Sequence, residues 1–332
     1  MRQKKLQQWL TAQLSTDIVA CEPLLHGASQ RQFFRVKTGS CSYILMDALM
    51  EIAYIQRYVT IAQMMAKLGI DVPKILACNQ QDGLVLMTDL GDQLYLKLLN
   101  HRNVDQLYRQ AMAVLLKLQG GKNLHLPAFD AAAMLIGLNG FQQVFLQAYL
   151  NCNLSVTSNK LLQACFKRLL DNALNQPQAA MHRDFHSENL LLLANGNTGV
   201  VDFQDAKIGP ITYDLVSLLR DCYISWPNEK IQGLQNEFYY QLRDDKLLDA
   251  RVSPQQFQQW FDWMGMKRHL KACYSFANKS VTDNDNSYLQ HLPRALNYIC
   301  NVGRHYRQFH DFVDFIEQDV MTKLAQSPGI HP

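Results

Sequence analysis

The chain of 332 residues lacks the features that mark several large classes of protein. Its eight cysteines are scattered singly without a Cys-x-x-Cys pair, so neither a zinc ribbon nor a dithiol redox site is indicated. No run of basic residues occurs, and the formal net charge is only +3, so we expect no nucleic-acid partner. Internal repeats and low-complexity segments are also missing, which leaves an ordinary globular protein.

A long apolar run is missing as well. Residues 131–150 carry no charge, but Asn139 and Gly140 interrupt them, so we expect no membrane span. The first ten residues, M-R-Q-K-K-L-Q-Q-W-L, lack the apolar stretch of a signal peptide, and lone cysteines suit a reducing compartment. We therefore expect a cytoplasmic protein. No coiled-coil pattern suggests assembly, so we expect a monomer.

The hydrophobic patterns predict an α+β fold with a small antiparallel β-rich part and a larger, mainly helical part. Short apolar runs at 21–26, 33–37 and 42–47 are separated by turn residues, as in a β-meander. A helix, a strand and then a long series of helical patterns follow. We expect an N-terminal nucleotide lobe at 1–86, a hinge at 87–92 and a helical catalytic and acceptor-binding lobe at 93–332. A cleft between two lobes is a common ligand site.

A dense polar cluster lies directly before an apolar run, in M-H-R-D-F-H-S-E-N-L-L-L-L at 181–193. The sequence continues A-N-G-N-T-G-V-V-D-F, and Asn-Gly between two apolar stretches predicts a β-hairpin. Centred on Gly196, this hairpin would pair Leu190 with Asp202 and bring Asn189 beside Asp202. Asp184 lies five residues before Asn189, on the loop that enters the first strand.

These residues have the chemistry of a phosphoryl-transfer site. The Asn189 amide oxygen and the Asp202 carboxylate suit Mg²⁺, with phosphate oxygens completing its shell. The Asp184 carboxylate can accept the proton of an attacking hydroxyl group. In such a site, positioning and charge neutralisation do most of the work.

The cluster has two other interpretations. It could be a merely structural polar turn, although the hairpin and Asp202 argue against that. The four-residue spacing of His182 and His186 could indicate zinc, but the helical His-Glu-x-x-His arrangement is absent. We expect His182 to support the loop by hydrogen bonding.

The segment H-R-D-x-x-x-x-N at 182–189 resembles the catalytic loop of protein kinases, and D-F at 202–203 resembles the start of their Asp-Phe-Gly segment. V-V-D-F-Q-D-A, followed by G-P-x-x-Y-D-L, is more similar to the aminoglycoside-phosphotransferase branch of that superfamily. Within the branch, four stretches resemble the anomeric N-acetylmuramate and N-acetylglucosamine kinases of bacterial cell-wall recycling. They are H-R-D-F-H-S-E-N-L, V-D-F-Q-D-A, Y-D-L-V-S-L-L-R-D-C-Y and, more weakly, M-G-M-K-R-H-L-K.

The resemblance implies a protein-kinase-like, two-lobed fold that uses ATP and Mg²⁺. By position, Asp184 would be the catalytic base, Asn189 and Asp202 would bind Mg²⁺, and Asp214 would brace the catalytic loop. The nucleotide would contact a turn in the first lobe and the backbone of the hinge. The expected residues are Ser29, Met87, Asp89 and Leu90.

One position departs from the kinase pattern. The third strand of kinases carries a lysine that pairs with the α- and β-phosphates, and in S-Y-I-L-M-D its place holds Met46. By resemblance, the anomeric sugar kinases also carry M-D-A here. Arg31, Arg35 and Lys37 are candidates for the compensating charge, and each could equally be a solvated strand residue. Glu51 could be the partner acid or a favourable first-turn charge.

By resemblance, Asp205, Arg220 and Arg268 are candidate acceptor-site residues, although buried ion pairs would explain them nearly as well. From 211 to 332 there are 14 acidic and 13 basic residues, without the acidic surplus that a polycationic aminoglycoside favours. The carboxylate of N-acetylmuramate would suit Arg220 or Arg268.

We therefore expect an ATP- and Mg²⁺-dependent kinase that phosphorylates a small amino sugar. The expected acceptor is the anomeric hydroxyl of N-acetylmuramate or N-acetylglucosamine. Two alternatives stay open. One is a kinase for aminoglycosides or another small hydroxyl compound. The other is a catalytically silent nucleotide-binding protein, which only Met46 supports.

Overall fold

A computed structural model of the chain describes residues 2–24, 31–39 and 41–327. The chain forms two compact units, each with its own internal packing. The first consists of Met1–Leu98 with Glu188–Ala206, and the second of Leu99–Ser187 with Lys207–Pro332. The first unit is therefore discontinuous in sequence.

Nine strands lie within the described residues. In chain order they are β1 (Ile18–Leu24), β2 (Gln32–Thr38), β3 (Ser42–Asp47), β4 (Ile75–Asn79), β5 (Leu84–Thr88), β6 (Gln178–Met181), β7 (Leu190–Leu192), β8 (Thr198–Val200) and β9 (Lys207–Pro210).

Helices make up most of the remaining structure of this described part. In chain order they are α1 (Arg2–Leu14), α2 (Ile52–Lys67), α3 (Tyr95–Leu98), α4 (Val104–Gln119), α5 (Ala131–Gly140), α6 (Val156–Leu174), α7 (Tyr213–Leu219), α8 (Asn228–Asp244), α9 (Pro254–Asp283), α10 (Leu292–Gly303), α11 (His310–Phe315) and α12 (Met321–Ala325). The π-helical segments Phe141–Tyr149 and Ile316–Val320 continue α5 and α11.

The first unit is built on a five-stranded antiparallel sheet in the order β1-β2-β3-β5-β4. Because successive strand residues point to opposite faces, the two faces carry different neighbours. One face presents Val36 and Leu45, which pack with Leu10 of α1. On the other face lies Met87, whose sulfur accepts a hydrogen bond from the hydroxyl of Tyr58 on α2 at 3.2 Å. This sheet confirms the predicted β-rich N-terminal part.

The β7–β8 hairpin belongs to the same unit. The N–H of Leu192 donates to the carbonyl of Gln93 at 2.8 Å, and the N–H of Val200 donates to the carbonyl of Asp71 at 2.8 Å. These bonds attach residues that follow the polar cluster to loops that precede it by about a hundred positions.

The second unit is mainly helical and is organised around α9, which has 30 residues. Ser253 caps its start by accepting the N–H of Gln256 at 3.1 Å, and α9 ends at Asn284 in the left-handed conformation. Apolar residues of α9 such as Leu270 pack into a core shared with α5, α6 and α10. A helix of this length can carry both core contacts and polar site residues.

A two-stranded antiparallel ladder in the second unit positions the polar cluster. β6 pairs with β9, with Met181 opposite Lys207. The cluster starts directly after β6, and α7 starts shortly after β9. The ladder therefore holds the start of the cluster next to the first turn of α7.

The helix predicted over about 93–119 is interrupted in the structure. Helix α3 ends at Leu98, and α4 begins at Val104. Between them, the N–H of Asn100 donates to Oδ1 of Asn103 at 2.8 Å, and Oδ1 of Asn100 accepts the N–H of Arg102 at 2.9 Å. These side-chain bonds compete with helical hydrogen bonds, which is why the hydrophobic period alone is misleading here. No helix in the described part of the chain is long and apolar enough to cross a membrane.

Candidate active site

The loop after β6 is fixed at its start by the carboxylate of Asp214, which is fully buried in the first turn of α7. Its two oxygens accept hydrogen bonds from the main-chain N–H groups of His182 at 2.5 Å and Arg183 at 3.0 Å. Arg183 has a φ of +83°, a conformation whose cost in free energy must be offset by the surrounding contacts. The N–H of Asp184 donates to Nδ1 of His182 at 3.3 Å.

A second carboxylate holds the other end of this loop. Asp221 is buried just beyond α7, and its Oδ2 accepts both the N–H of Ser187 at 2.9 Å and the hydroxyl of Ser187 at 2.5 Å. Hydrogen bonds to charged groups are each worth about 1.5–3 kcal/mol. Hydrogen bonds to Asp214 and Asp221, which lie at the two ends of α7, thus hold both ends of residues 182–187.

Asp184, between these two anchors, faces a cation. Nζ of Lys271 on α9 lies 3.5 Å from Oδ1 of Asp184. Burial alone would raise the pKa of Asp184, but Lys271, with smaller contributions from His186 and Arg268, lowers that pKa well below its usual range. The carboxylate is therefore ionised at neutral pH and can accept a proton.

The hairpin after the loop forms as predicted, but its register differs. Leu190 pairs with Val200, whereas the sequence predicted Asp202 as its partner. The N–H of Gly196 donates to the carbonyl of Leu193, and Gly196 has a φ of +83°. This is a three-residue loop with glycine in the left-handed position, which moves the centre of the turn by one residue and the pairing by two.

Asn189 and Asp202 nevertheless lie at the same open end of this hairpin. The N–H of Val201 donates to the carbonyl of Asn189 at 3.1 Å, and Asp202 is the next residue. Asp202 is exposed and has a φ of +61°, and Nε2 of Gln204 donates to its Oδ1 at 2.6 Å. No lysine or arginine of the described residues pairs with it.

The donors at this end of the hairpin fit Mg²⁺. An amide oxygen and a carboxylate without a cationic partner are hard oxygen ligands of the kind that Mg²⁺ takes together with phosphate oxygens. A site for zinc has less support. Across the ranges that the structure describes, no group of three His, Cys, Asp or Glu side chains is close enough to hold a metal ion.

The three described candidates for nucleotide binding lie at or after the end of β5. Met87 is buried between β3 and β4. The carboxylate of Asp89 accepts the hydroxyl of Ser42 at 2.6 Å and pairs with Nε of Arg35 at 2.7 Å. Leu90 makes no main-chain hydrogen bond to any described residue, so its N–H and carbonyl suit an external partner. Ser29, the fourth candidate, lies outside the described residues.

The comparisons with known proteins agree with this geometry. Residues 20–247 match the model of a family described as the phosphotransferase enzyme family. The chain belongs to this family. The match covers the sheet of the first unit, the braced loop and the hairpin.

Two curated relatives of this phosphotransferase are named N-acetylmuramate/N-acetylglucosamine kinase. One, from Neisseria meningitidis serogroup B, is 32% identical over 92% of each chain. The other, from Pseudomonas aeruginosa, is 35% identical over 83% of this chain and 82% of its own. Both alignments extend well beyond the short motifs.

Solved structures show that the phosphotransferase has a kinase-like fold, which confirms the predicted class. A choline kinase from Streptococcus pneumoniae has a TM-score of 0.63 at 13% identity, covering 90% of this chain and 99% of its own. An ADP-bound aminoglycoside phosphotransferase has a TM-score of 0.59 at 13% identity, covering 90% and 98%.

The three candidate acceptor residues of the phosphotransferase differ in their surroundings. Nη2 of Arg220 pairs with Oδ1 of Asp262 at 2.5 Å, which favours the ion-pair interpretation for Arg220. Asp205, in the first unit, lies 3.5 Å from Nη2 of Arg57. The guanidinium carbon of Arg268 lies 5.0 Å from the centre of the Tyr213 ring, and its Nε has no hydrogen-bond partner.

Sequence reasoning overlooked two residues that hold the catalytic segment. Asp221 lies in Y-D-L-V-S-L-L-R-D, seven residues after Asp214, and this spacing places both acids at the two ends of α7. Lys271 is three residues after Arg268, so the two share one face of α9. Both signals are visible in the sequence but become informative only when the helices are known.

Proposed function

We propose that this phosphotransferase transfers the γ-phosphate of Mg-ATP to the anomeric hydroxyl of N-acetylmuramate or N-acetylglucosamine. The observation that carries the proposal is the Asp184 carboxylate, kept ionised by Lys271 and held in a loop that Asp214 and Asp221 brace. The names of the curated relatives support this choice of acceptor.

In the proposed reaction, Asp184 accepts the proton of the sugar hydroxyl as its oxygen forms a bond to the γ-phosphorus. The bond between that phosphorus and the β,γ-bridging oxygen breaks, and ADP and a sugar 1-phosphate are released. The braced loop fixes the direction of the carboxylate, which is where most of the rate gain from a positioned base originates. Such a base is typically worth about 10²–10⁴ in rate.

Asn189 and Asp202 would hold the cation. When bound, Mg²⁺ would neutralise charge on the phosphate oxygens. Asn189 follows Asp184 by five residues, a length of chain that spans at most about 18 Å. The proposed base and Asn189 are therefore connected by a short segment of chain.

For the nucleotide, we propose the division made from the sequence: a nucleotide lobe at 1–86, a hinge at 87–92 and a catalytic and acceptor-binding lobe at 93–332. The N–H and carbonyl of Leu90 would contact adenine, with Met87 and Asp89 shaping that segment. Ser29 stays a predicted phosphate contact. The ADP-bound form of a structural relative supports nucleotide binding by this fold.

For the acceptor, Arg268 has the most support among the three candidates. It forms no ion pair with a described acidic residue, whereas Arg220 pairs with Asp262 and Asp205 lies near Arg57. A guanidinium stacked on an aromatic ring is well suited to a carboxylate such as that of N-acetylmuramate.

We also propose that the protein acts in the cytoplasm as a monomer, in the recycling of cell-wall amino sugars. All eight cysteines are free, and four of them are buried, which suits a reducing compartment.

The experiment that tests the proposal is transfer of labelled γ-phosphate from Mg-ATP to N-acetylmuramate, N-acetylglucosamine and kanamycin. It includes Asp184→Asn and, as a matched control, Asp171→Asn, which removes an exposed carboxylate from α6. We expect label on the acetylated sugars, lost in Asp184→Asn by at least about 10²-fold and retained in the control.

Other outcomes would change the conclusion. Label on kanamycin alone would make the protein an aminoglycoside kinase. ATP binding without label on any acceptor, with an unchanged fold, would indicate a catalytically silent nucleotide-binding protein.

A further inference from the structure

The third strand of the sheet carries no cation at the position where kinases carry their phosphate-binding lysine. Met46 occupies this position on β3, is fully buried, and is paired with Phe33 on β2 and Val85 on β5. If the proposed function is correct, the negative charge of the α- and β-phosphates must be met by another residue of this chain.

Arg31 lies at the end of the sheet that carries Met46. It is two residues before Phe33, and Phe33 shares its face of the sheet with its partner Met46. The guanidinium carbon of Arg31 lies 3.9 Å from the centre of the Tyr54 ring, and Nε lies 3.5 Å from Oε2 of Glu51. Tyr54 lies in the first turn of α2, and Glu51 directly precedes that helix.

The other two candidates, Arg35 and Lys37 on β2, form ion pairs elsewhere. Arg35 pairs with Asp89 and with Asp92, each at 2.7 Å, at the end of β5. Lys37 pairs with Glu22 on β1 at 2.9 Å, and both side chains are about half exposed. Neither reaches toward α2.

A buried tyrosine links Arg31 to the proposed Mg²⁺ ligand. The ring of Tyr58 on α2 lies 4.8 Å from that of Phe203, the residue after Asp202. Burial raises the pKa of Tyr58, the Asp202 carboxylate raises it further, and Arg31 lowers it. Arg31 stacks on Tyr54, whose ring lies 6.3 Å from that of Tyr58, so Arg31 and the residue next to Asp202 lie on one connected set of rings in the first unit.

We propose that Arg31 binds the α- and β-phosphates of the nucleotide and supplies the charge that Met46 does not. A guanidinium presents five N–H donors in a planar fork whose geometry matches phosphate oxygens. Tyr54 fixes the plane of the fork by stacking, and Glu51 fixes its direction. This inference rests on the proposed function.

The test compares the binding of ADP and of adenosine by titration calorimetry in the presence of Mg²⁺. Adenosine lacks the phosphates and therefore reports on the rest of the pocket. Arg31→Met should weaken ADP binding by about tenfold or more and leave adenosine binding unchanged. Arg31→Lys, which keeps the charge but loses the fork, should give an intermediate loss. Lys37→Met, on the strand β2 that directly follows Arg31, is the matched control and should bind both ligands like the wild type.

Each outcome decides the question. Unchanged ADP affinity in Arg31→Met, with the wild type binding ADP, would overturn the role of Arg31 and leave the proposed function intact. An equal loss for adenosine and ADP would also overturn it, because the effect would then concern the pocket as a whole. A wild type that binds neither ligand would overturn the proposed function itself. Urea unfolding of each variant establishes that the binding measurements refer to folded protein.

Discussion

Lys271 and Asp184 form an ion pair with 3.5 Å between Nζ and Oδ1, although 87 residues separate them in sequence. Lys271 belongs to the central helix α9, and Asp184 belongs to the loop that Asp214 and Asp221 brace. This pair makes the largest contribution that lowers the pKa of the proposed base.

Replacement of Lys271 should change the pH dependence of turnover. In Lys271→Met the pKa of Asp184 should rise, because the largest influence that lowers it is removed. The acidic limb of the kcat/KM profile should then move to higher pH. Lys271→Arg should keep the wild-type profile, and so should Lys279→Met on the same helix. An unmoved acidic limb in Lys271→Met would contradict the assignment.

Loss of the Asp202 carboxylate should raise the requirement for Mg²⁺. Asp202→Asn keeps the shape of the side chain but removes its charge, so the Mg²⁺ concentration for half-maximal rate should increase by at least about tenfold. Initial rates measured over a Mg²⁺ titration give this value. Asp17→Asn removes an exposed carboxylate from the same unit and should leave the titration unchanged. A normal Mg²⁺ requirement in Asp202→Asn would exclude it as a ligand.

A buried lysine next to the site should make stability depend on pH. Burial, with smaller contributions from Arg268 and Lys271, lowers the pKa of Lys267 from 10.5 to about 7. Between these values the unfolded chain binds a proton that the folded chain does not, so this group makes the protein more stable as pH rises from 7 toward 10. Below pH 7 both states are protonated and its contribution no longer changes.

Lys267→Met should therefore be more stable than the wild type, and its advantage should shrink as pH rises. Urea unfolding at pH 7, 8 and 9 should show the difference decreasing by about 1 kcal/mol per pH unit. Lys279→Met, which alters a half-buried residue of α9 that pairs with Asp283, should differ from the wild type by a constant amount. A constant difference for Lys267→Met as well would show that its ammonium titrates normally.

Arg268 should discriminate between the two proposed sugars. N-acetylmuramate has a carboxylate and N-acetylglucosamine does not, so Arg268→Met should reduce kcat/KM about 10- to 100-fold more for the former. Arg268 also lowers the pKa of Asp184, but this effect is the same for both sugars. It therefore cancels in the ratio of their kcat/KM values. Arg168→Met, on the exposed face of α6, should leave the ratio unchanged. An unchanged ratio in Arg268→Met would remove Arg268 from carboxylate recognition.

The sequence was most informative where the signal is local. The hairpin follows from Asn-Gly between two apolar runs, and the polar cluster is contiguous. The predicted register of that hairpin was wrong. Gly196 can belong to either a two-residue or a three-residue loop, and the sequence alone does not decide between the two. Contacts across long sequence separations, such as Lys271 with Asp184 or Ser187 with Asp221, have no local signal. These contacts can be recognised only when the positions of α7 and α9 in the fold are known.

The short strands show the same limit. β4, β6 and β9 have four or five residues each, too few for the alternation of side chains to stand out from chance. Yet β6 and β9 are the elements that align the start of the catalytic segment with α7. The short strands that position the site are thus the elements that are hardest to predict from the sequence.

The discontinuity of the first unit has a consequence for biosynthesis. The bonds from Leu192 to Gln93 and from Val200 to Asp71 belong to its finished structure, so the sheet emerges from the ribosome well before the hairpin that completes it. About a hundred further residues must be translated between the two, which takes roughly 5 to 20 s. During that time the nascent sheet lacks its hairpin. Asp184 is synthesised shortly before the hairpin. The ligands proposed for Mg²⁺ are therefore among the last residues to join the first unit.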